Sequence, residues 1–204
     1  MTTFNDVVRA WQGAHVDAIH PLRADDVDGY WESGWFQAQQ AAAHIPAGGS
    51  VVDFGCGDGR IAIPLAHMGF GVTAIDSSPT MLKRLLKNAA KQTKDFDHDN
   101  LTVVESNGTD LWKLKRHYDA VVCRAVLIHH GFKDGMTLIH GLANILKPAG
   151  TLVVDWPTGD EHERRDWIDV SVWSVDRRNS VATNAGLELV EEHADGLTVW
   201  RRAE

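Results

Sequence analysis

The sequence predicts a doubly wound α/β fold, in which a mostly parallel sheet lies between two layers of helices. Short runs rich in β-branched residues, among them 72–76, 101–105 and 118–123, alternate along the chain with segments of helical periodicity. Two further runs near the C-terminus are joined by Asp195-Gly196, which is a strong signal for a hairpin turn. We therefore predict a parallel sheet that is closed by an antiparallel C-terminal hairpin.

The composition bounds the size and the environment of the protein. Its 204 residues are enough for one ordinary domain, which we divide into an N-terminal helical cover (1–45) and an α/β domain (46–204). The net charge is −8, from 20 basic and 28 acidic residues, so the chain as a whole carries no electrostatic footprint for nucleic acid. We find no long apolar run and no signal-peptide pattern, which predicts a cytoplasmic protein without a membrane partner. The two cysteines, Cys56 and Cys123, are expected to be buried thiols.

Two segments outside the strands are predicted to be helical. In 27–45 the apolar residues recur at three- and four-residue spacing, and this helix would bring Tyr30 and Trp31 close to the strand that begins at residue 51. There they would cover a ligand, or alternatively form only the core-facing side of the helix. The second helix is predicted over 166–184, because tryptophan and valine residues follow one another there at three-residue steps up to Trp173.

The most informative stretch is 51–59, Val-Val-Asp-Phe-Gly-Cys-Gly-Asp-Gly. It predicts a strand, a tight turn and the start of a helix. Glycine is used where the backbone must take a positive φ or let a ligand approach closely, so the alternating glycines predict a bound molecule. Asp53 ends a buried strand and needs a cationic or N–H-bearing partner. Position 60 is Arg, which differs from the dinucleotide-binding fingerprint G-x-G-x-x-G.

A second acid follows the next predicted strand. Asp76 lies 17 residues beyond Gly59, at the tip of a strand next to the Gly loop, where a carboxylate can accept both ribose hydroxyls of an adenosine. The alternative is that Asp76 caps the following helix, but Ser77 and Ser78 can provide that cap without it. On that helix Met81 is placed either to touch adenine or to pack in the core.

The pattern Asp-x-Gly-x-Gly-x-Gly at 53–59 resembles motif I of the class I S-adenosylmethionine-dependent methyltransferases. The stretch 118–130 is similar to the family's FDxVxxxxxLHH segment, with His129 on its second histidine and Ile128 in place of the first. Lys147-Pro148-Ala149-Gly150 is similar to the family's Lys-Pro-Gly-Gly turn, with Ala149 as a departure. These segments occur in the same order as in the family, and the resemblance covers about residues 30–202. The resemblance implies a seven-stranded Rossmann-like sheet.

The resemblance also implies the cofactor, S-adenosylmethionine, and its product, S-adenosylhomocysteine. In the family the acid of motif I lies near the methionyl amino group, and an Asp after the third strand reads the adenine edge. Asn107 takes that position here, and an amide can both accept from the adenine amino group and donate to a ring nitrogen. The predicted cofactor-binding residues are Trp31, Asp53, Gly55, Cys56, Gly57, Asp76, Ser77, Met81, Asn107, Gly108 and Arg124.

His129 is the predicted catalytic residue, because chemistry in open α/β sheets gathers at the carboxyl ends of the strands. It would act as a base or hydrogen-bond partner for the methyl acceptor, and a structural role below the cofactor is the alternative. We expect His130 to be exposed. The Asp- and His-rich loop 95–100 is expected to be solvated, so no metal site is predicted.

The predicted function is methyl transfer to the O, N or C atom of an acceptor. The short chain, the acidic charge and the aromatic N-terminal segment favour a small molecule, while protein or peptide acceptors stay open. We expect a monomer or a homodimer. The alternatives are an NAD-linked oxidoreductase on a Rossmann fold and a non-catalytic cofactor-binding protein of methyltransferase fold.

Overall fold

The computed structural model describes residues 26–92, 96–114, 117–164 and 170–204. Within these ranges the chain alternates between strands and helices. The strands are β1 Ser50–Phe54, β2 Gly71–Asp76, β3 Leu101–Glu105, β4 Tyr118–Cys123, β5 Leu146–Asp155, β6 His162–Arg164, β7 Val170–Val172, β8 Leu187–Glu192 and β9 Leu197–Arg202. The helices are α1 Val27–Ala42, α2 Ala62–His67, α3 Pro79–Ala89, α4 Phe132–Asn144 and α5 Val175–Asn184.

The main sheet has seven strands in the order β3-β2-β1-β4-β5-β9-β8. The strands from β1 to β5 pair in parallel, whereas β9 pairs antiparallel with both β5 and β8. The strand order reverses between β1 and β4, and a ligand crevice opens at such a switch point, beyond the carboxyl ends of the strands. The predicted doubly wound sheet with an antiparallel C-terminal hairpin is confirmed.

Each face of the sheet carries its own hydrophobic core. Along β4 the side chains alternate between the two faces, as the period of a strand requires: Val121 and Cys123 pack with α4 and α5, whereas Ala120 and Val122 pack with α1, α2 and α3. All four side chains are fully buried. Because both faces are covered, the central strands read as almost continuous apolar runs.

Helix α1 belongs to the predicted N-terminal cover. It begins after Asp26, whose side chain accepts a hydrogen bond from the Gly29 N–H, and it ends at Ala42, three residues before the predicted end. Its small residues Ala38 and Ala41 are fully buried on the sheet side, which lets the helix lie close to the strands. Residues 1–25 of the predicted cover lie outside the described residues. No helix of the described ranges is long and apolar enough to span a lipid bilayer.

The predicted helix over 166–184 is wrong at 170–174, and residues 166–169 lie outside the described residues. Residues 170–172 form β7, which pairs antiparallel with β6, and α5 begins only at Val175. Trp173 is fully buried against the Trp156 ring, at a centroid distance of 5.7 Å. The spacing therefore does not mark a helix at Trp173, whose buried side chain follows the short strand β7. The helix starts at the next residues, where Ser174 accepts a hydrogen bond from the Arg177 N–H.

Candidate functional site

A cavity of about 180 Å³ opens at the carboxyl ends of β1, β2 and β4. It lies at the switch point of the sheet, where the topology predicts a ligand. The structure brings ten of the predicted site residues to its wall: Asp53, Gly55, Cys56, Gly57, Asp76, Ser77, Met81, Asn107, Arg124 and His129. The described wall includes neither Trp31 nor Gly108.

Two of the three glycines of the Gly loop, Gly57 and Gly59, have different roles. Gly57 has a φ of 54°, and a Cβ built there would meet no described atom within 4 Å. Gly59 has a φ of 97°, and its Cβ would lie 2.8 Å from Ile63 Cδ1 and 2.9 Å from Leu85 Cγ. Gly57 therefore keeps the loop surface open towards the cavity, whereas Gly59 lets the loop pack on α2 and α3.

Asp76 holds the Gly loop against the end of β2. Its Oδ2 accepts a hydrogen bond from the Gly57 N–H at 2.9 Å, and its Oδ1 accepts one from the Ser78 N–H at 2.8 Å. Burial raises the pKa of this carboxyl, and the backbone hydrogen bonds oppose the rise. The N-cap of α3 is Ser78, whose side chain accepts from the Met81 N–H. The Ser77 N–H is a third backbone donor to this carboxyl. A carboxylate has about four lone-pair sites, so Asp76 keeps acceptor capacity for a ligand beside the backbone groups.

Asp53 is a buried acid at the end of β1, with 2% of its surface exposed. It accepts a hydrogen bond from the Ala62 N–H, while its Oδ2 has no hydrogen-bond partner among the described residues. Burial raises the pKa of this carboxyl to about 7, and the nearby Arg60 guanidinium lowers it only in part. Such a carboxyl is poised to ionise when a cationic group comes close.

Helix α1 contacts the Gly loop through Tyr30, which the sequence predicted to cover a ligand, and its partners Asp58 and Arg60 were not predicted. The Tyr30 hydroxyl donates a hydrogen bond to Asp58 Oδ1 at 2.6 Å, and the Arg60 guanidinium carbon lies 5.4 Å from the centre of the Tyr30 ring. A Cβ at Gly34 would lie 2.3 Å from the Arg60 carbonyl oxygen, so only glycine lets the helix approach so closely. Asp58 and Arg60 lie next to the loop glycines in the sequence, and this position is the only sequence feature that indicates a place in the site.

The Arg124 side chain, almost fully buried, lines the far side of the cavity. Its Nε lies 2.7 Å from Asp155 Oδ1, at the end of β5. Asp155 Oδ2 accepts a hydrogen bond from the Ala125 N–H at 3.1 Å, and Ala125 has a φ of 56°. Burial raises the pKa of Asp155, which the Arg124 guanidinium opposes. The ion pair thus fixes a strained turn at the cavity wall.

His129 and His130 both lie at the cavity, at the end of the short 3₁₀ turn Leu127–His129. The expectation that His130 is exposed is wrong, because only 6% of its surface is accessible. Burial and the neighbouring His129 lower the pKa of His130 to about 4, so its imidazole is neutral at neutral pH. His129 is half-buried and is the more accessible residue of the two.

The remaining predicted residues differ in where their side chains lie. Asn107 Oδ1 accepts hydrogen bonds from the Thr109 N–H and hydroxyl, at 3.0 and 2.7 Å, so these two contacts occupy the amide oxygen. Gly108 has a φ of 89°, and a Cβ there would lie 2.8 Å from Phe54 Cζ, which is a packing constraint. Trp31 packs on the core below α1 and contacts the Tyr30 ring edge to face.

Both cysteines are buried thiols, as predicted. Burial raises the pKa of Cys56 and of Cys123 well above the ordinary value for a thiol. Neither thiol is therefore ionised near neutral pH, and a nucleophilic role is not supported. Cys56 contributes to the cavity wall as a small apolar side chain.

The strand order and the cavity above a Gly loop define a Rossmann-like protein with a cofactor pocket at its switch point. Residues 51–150 match a family model described as "Methyltransferase domain". Residues 51–150 therefore form a methyltransferase domain, and the sheet around them has the class I S-adenosylmethionine-dependent methyltransferase fold.

Relatives of known activity and solved structures agree with this family. The chain is 30% identical over 139 residues to the ubiquinone biosynthesis O-methyltransferase of Xanthomonas campestris, covering 66% of this chain and 48% of the relative. It is also 30% identical over 127 residues to the mouse glycine N-methyltransferase, covering 58% and 41%. The chain thus spans about half the length of the curated relatives it matches.

Among solved structures, the CcbJ methyltransferase from Streptomyces caelestis superposes with a TM-score of 0.71 at 22% identity, covering 84% of this chain and 95% of the other. The magnesium protoporphyrin IX methyltransferase from Synechocystis, solved with bound S-adenosylmethionine, superposes with a TM-score of 0.67 at 20% identity, covering 98% and 91%. At these identities the likeness concerns the fold.

Proposed function

We propose that this chain is an S-adenosylmethionine-dependent methyltransferase whose cofactor binds in the cavity above the Gly loop and whose acceptor is a small molecule. The observation that carries the proposal is the convergence of Asp53, Gly57 and Asp76 on one cavity of a methyltransferase fold. The match to a methyltransferase domain decides against the NAD-linked oxidoreductase that the Gly loop alone left open.

The wall of the cavity fits the chemical groups of this cofactor. Asp53 is a buried carboxyl whose Oδ2 has no hydrogen-bond partner among the described residues, which suits a cationic amino group. Asp76 retains acceptor capacity for ribose hydroxyls beyond its backbone hydrogen bonds. Asn107 offers an amide NH₂ group to an acceptor nitrogen of adenine, and Gly57 leaves the loop surface open.

When bound, the cofactor supplies an electrophilic methyl group on a sulfonium. The residues of the chain then have to align the acceptor with that methyl group and keep water away. Alignment of a bound pair is worth roughly 7 to 11 kcal/mol over a dilute encounter, so positioning alone can account for much of the rate. For an acceptor that must lose a proton, His129 is the group at the cavity wall that we assign as base or hydrogen-bond partner.

Three features support a small-molecule acceptor. The net charge of −8 disfavours a nucleic-acid backbone. The cavity is enclosed on one side by Tyr30 of α1, and the related proteins include a glycine N-methyltransferase and an O-methyltransferase of ubiquinone biosynthesis. We propose that the protein works in the cytoplasm, as a monomer or a homodimer, and methylates O, N or C.

The experiment that tests the proposal has two stages. Calorimetric titration should show that S-adenosylmethionine and S-adenosylhomocysteine bind with one site per chain, whereas NAD does not bind. The protein is then incubated with S-adenosylmethionine and panels of small molecules that carry a hydroxyl group, an amine or an acidic C–H group. S-adenosylhomocysteine should form only when an acceptor is present. Cofactor binding without turnover on any panel would support the non-catalytic alternative, and the absence of binding would overturn the proposal.

A further inference from the structure

One cluster of metal-ligating side chains lies outside the cofactor cavity. Among the described residues, His44, Glu191 and His193 each offer one ligand atom, and these atoms lie within 4.8 Å of one another. Glu191 Oε2 lies 3.6 Å from His44 Nε2, and Glu191 Oε1 lies 3.1 Å from His193 Nε2. The three residues are far apart in the sequence, so no local motif marks the cluster.

The strand geometry brings Glu191 to this position. Leu189 pairs with Trp200 and Glu191 pairs with Val199, so the register of β8 against β9 shifts by one residue between them. Without this bulge Glu191 would share the face of Leu189, because residues two apart on a strand point to the same side. The bulge turns Glu191 to the face covered by α1, while Glu192 points to the opposite face and pairs with Arg178 of α5. Bulges of this kind re-aim side chains at functional positions.

The two histidines are held by their own backbone hydrogen bonds. The His44 N–H donates to the Ala41 carbonyl oxygen at 3.0 Å, just after α1, and the His193 N–H donates to the Leu197 carbonyl oxygen at 2.8 Å, in the terminal hairpin. His193 Nε2 is buried and faces Glu191 Oε1 at 3.1 Å. The side chain of Glu191 is 49% exposed, so an ion can reach the cluster from solvent.

We propose that His44, Glu191 and His193 form a binding site for a divalent transition-metal ion of the zinc class. Two imidazole nitrogens and one carboxylate are a ligand set that Zn²⁺ takes in proteins, with water completing a tetrahedron. Ligands at about 2.0–2.1 Å around such an ion are separated by roughly 3.4 Å. The three ligand atoms lie within 4.8 Å of one another, so the side chains would draw closer together around a bound ion. Mg²⁺ prefers oxygen ligands in an octahedron and does not suit this set.

The site would connect the end of α1 to the C-terminal hairpin. Helix α1 carries Tyr30 to the cofactor cavity at its other end, and β8 is the outer strand of the sheet. A metal ion bound there would fix the helix that covers the cavity to the sheet edge. The proposal does not depend on the methyltransferase activity, since the three ligands lie outside the described cavity wall.

The test is calorimetric titration of the full chain with Zn²⁺, in parallel with Mg²⁺. We expect one Zn²⁺ per chain and no competition by Mg²⁺. The single variants His44→Gln, Glu191→Gln and His193→Gln should each weaken Zn²⁺ binding by at least about 100-fold, since even second-shell changes at metal sites cost 10- to 100-fold. The control is His140→Gln, which changes an exposed histidine on α4 and should bind Zn²⁺ as the wild type does.

Thermal unfolding provides a second measurement that does not depend on activity. Zn²⁺ should raise the unfolding temperature of the wild type and of His140→Gln, but not that of the three ligand variants, because an ion that binds the folded state stabilises it. Circular dichroism and cofactor affinity should be unchanged in the variants without metal. Zn²⁺ binding that is equal in all five proteins, or that is lost equally in His140→Gln, would overturn the proposal and leave an ion pair between Glu191 and the two histidines.

Discussion

The Tyr30 hydroxyl donates a hydrogen bond of 2.6 Å to Asp58 Oδ1, and this contact joins the first turn of α1 to the Gly loop. Both residues are almost completely buried, with 8% and 2% of their surfaces exposed. The N-terminal helix is therefore part of the cavity wall and helps to hold the loop on which the cofactor is proposed to lie. Substitutions in α1 should therefore change the affinity for the cofactor.

The variant Tyr30→Phe tests this connection. It removes one hydrogen bond to a buried carboxylate, so we expect the free energy of unfolding to fall by about 1–3 kcal/mol. Because the Gly loop loses a contact, the Kd for S-adenosylhomocysteine should rise about 3- to 10-fold, measured by calorimetry. Trp31→Phe is the matched control, since Trp31 packs outside the described cavity wall and should leave the Kd unchanged. Equal affinities in all three proteins would mean that α1 does not position the loop.

The raised pKa of the Asp53 carboxyl predicts that the stability of the protein depends on pH. Its pKa is about 7 in the folded protein and about 4 in an unfolded chain, so the folded state binds more protons between these values. The stabilisation that this proton provides is fully present below pH 4 and is lost as the pH rises towards and through 7. At ~1.4 kcal/mol per pKa unit the upper limit is about 4 kcal/mol. Denaturant unfolding should show a steeper fall of stability with pH in the ligand-free wild type than in Asp53→Asn, because the other buried carboxyls, Asp76 and Asp155, contribute to both proteins.

The same carboxyl should make cofactor binding depend on pH. A cationic amino group beside Asp53 favours the carboxylate, so binding releases a proton when the pH is near or below 7. We expect S-adenosylmethionine to bind about tenfold more weakly at pH 6 than at pH 8. The Asp53→Asn variant should lack this difference, while any titration of the ligand itself appears in both proteins. Proton release can be counted by calorimetry in buffers of different ionisation enthalpy, and a count of zero at pH 6 would refute the contact.

His129 is predicted to act on the acceptor and not on the cofactor. General-base contributions are typically about 10²- to 10⁴-fold, so His129→Ala should lower kcat by that factor while the Kd for S-adenosylhomocysteine stays the same. His130→Ala should lower kcat less and should lower the unfolding temperature, because the His130 ring is buried and neutral. If His129→Ala kept near-normal turnover, or lost rate and stability together, its role would be structural.

The parts of the site that could be predicted from the sequence are those with a local signal. The Gly loop and Asp76 follow short β-branched strands, and the chain topology then brings the ends of neighbouring parallel strands together. Contacts between distant segments had no such signal. Tyr30 and Asp58 are joined only because α1 packs beside the loop, and Gly34 permits that approach through its missing side chain.

Two incorrect expectations have physical causes of the same kind. The sequence contains no signal for the burial of His130, which follows the 3₁₀ turn that ends at His129 and is 6% exposed. The helix over 166–184 was inferred from spacing, but residues 170–172 pair with β6 instead. Pairing partners and turn geometry are tertiary properties, which periodicity in one segment does not contain.

A pair of alanine substitutions separates binding from packing in the Gly loop. In Gly57→Ala the new methyl group points into space where the cofactor is proposed to lie, so the Kd for S-adenosylmethionine should rise strongly, at a stability cost of about 1–2 kcal/mol for the positive φ. In Gly59→Ala the methyl group meets Ile63 and Leu85, so the stability should fall further, by roughly 2–4 kcal/mol. Chemical denaturation and calorimetry measure the two effects. Losses of the same size and kind in both variants would contradict the two roles.

The last prediction concerns Asp76 and the ribose. If its carboxylate accepts both ribose hydroxyls, Asp76→Ala removes two hydrogen bonds of about 1.5–3 kcal/mol each, and since water replaces them in part we expect a net loss of roughly 2–4 kcal/mol. That corresponds to about 30- to 1000-fold in cofactor affinity. Asp76→Asn should cost less, because the amide keeps one acceptor.

Asp76 also accepts the Gly57 and Ser78 N–H groups, so Asp76→Ala will loosen the loop whatever the ligand does. A double-mutant cycle separates the two effects. The natural cofactor and an analogue without the 2′-hydroxyl are each titrated against the wild type and against Asp76→Ala. The analogue should bind the wild type poorly. Asp76→Ala should lower the affinity for the analogue less than the affinity for the natural cofactor, because only the loop contribution and the remaining hydroxyl contact are then removed. Equal losses for the two ligands would mean that Asp76 organises the loop without contacting the 2′-hydroxyl, and cofactor recognition would then rest on Asp53 and Gly57.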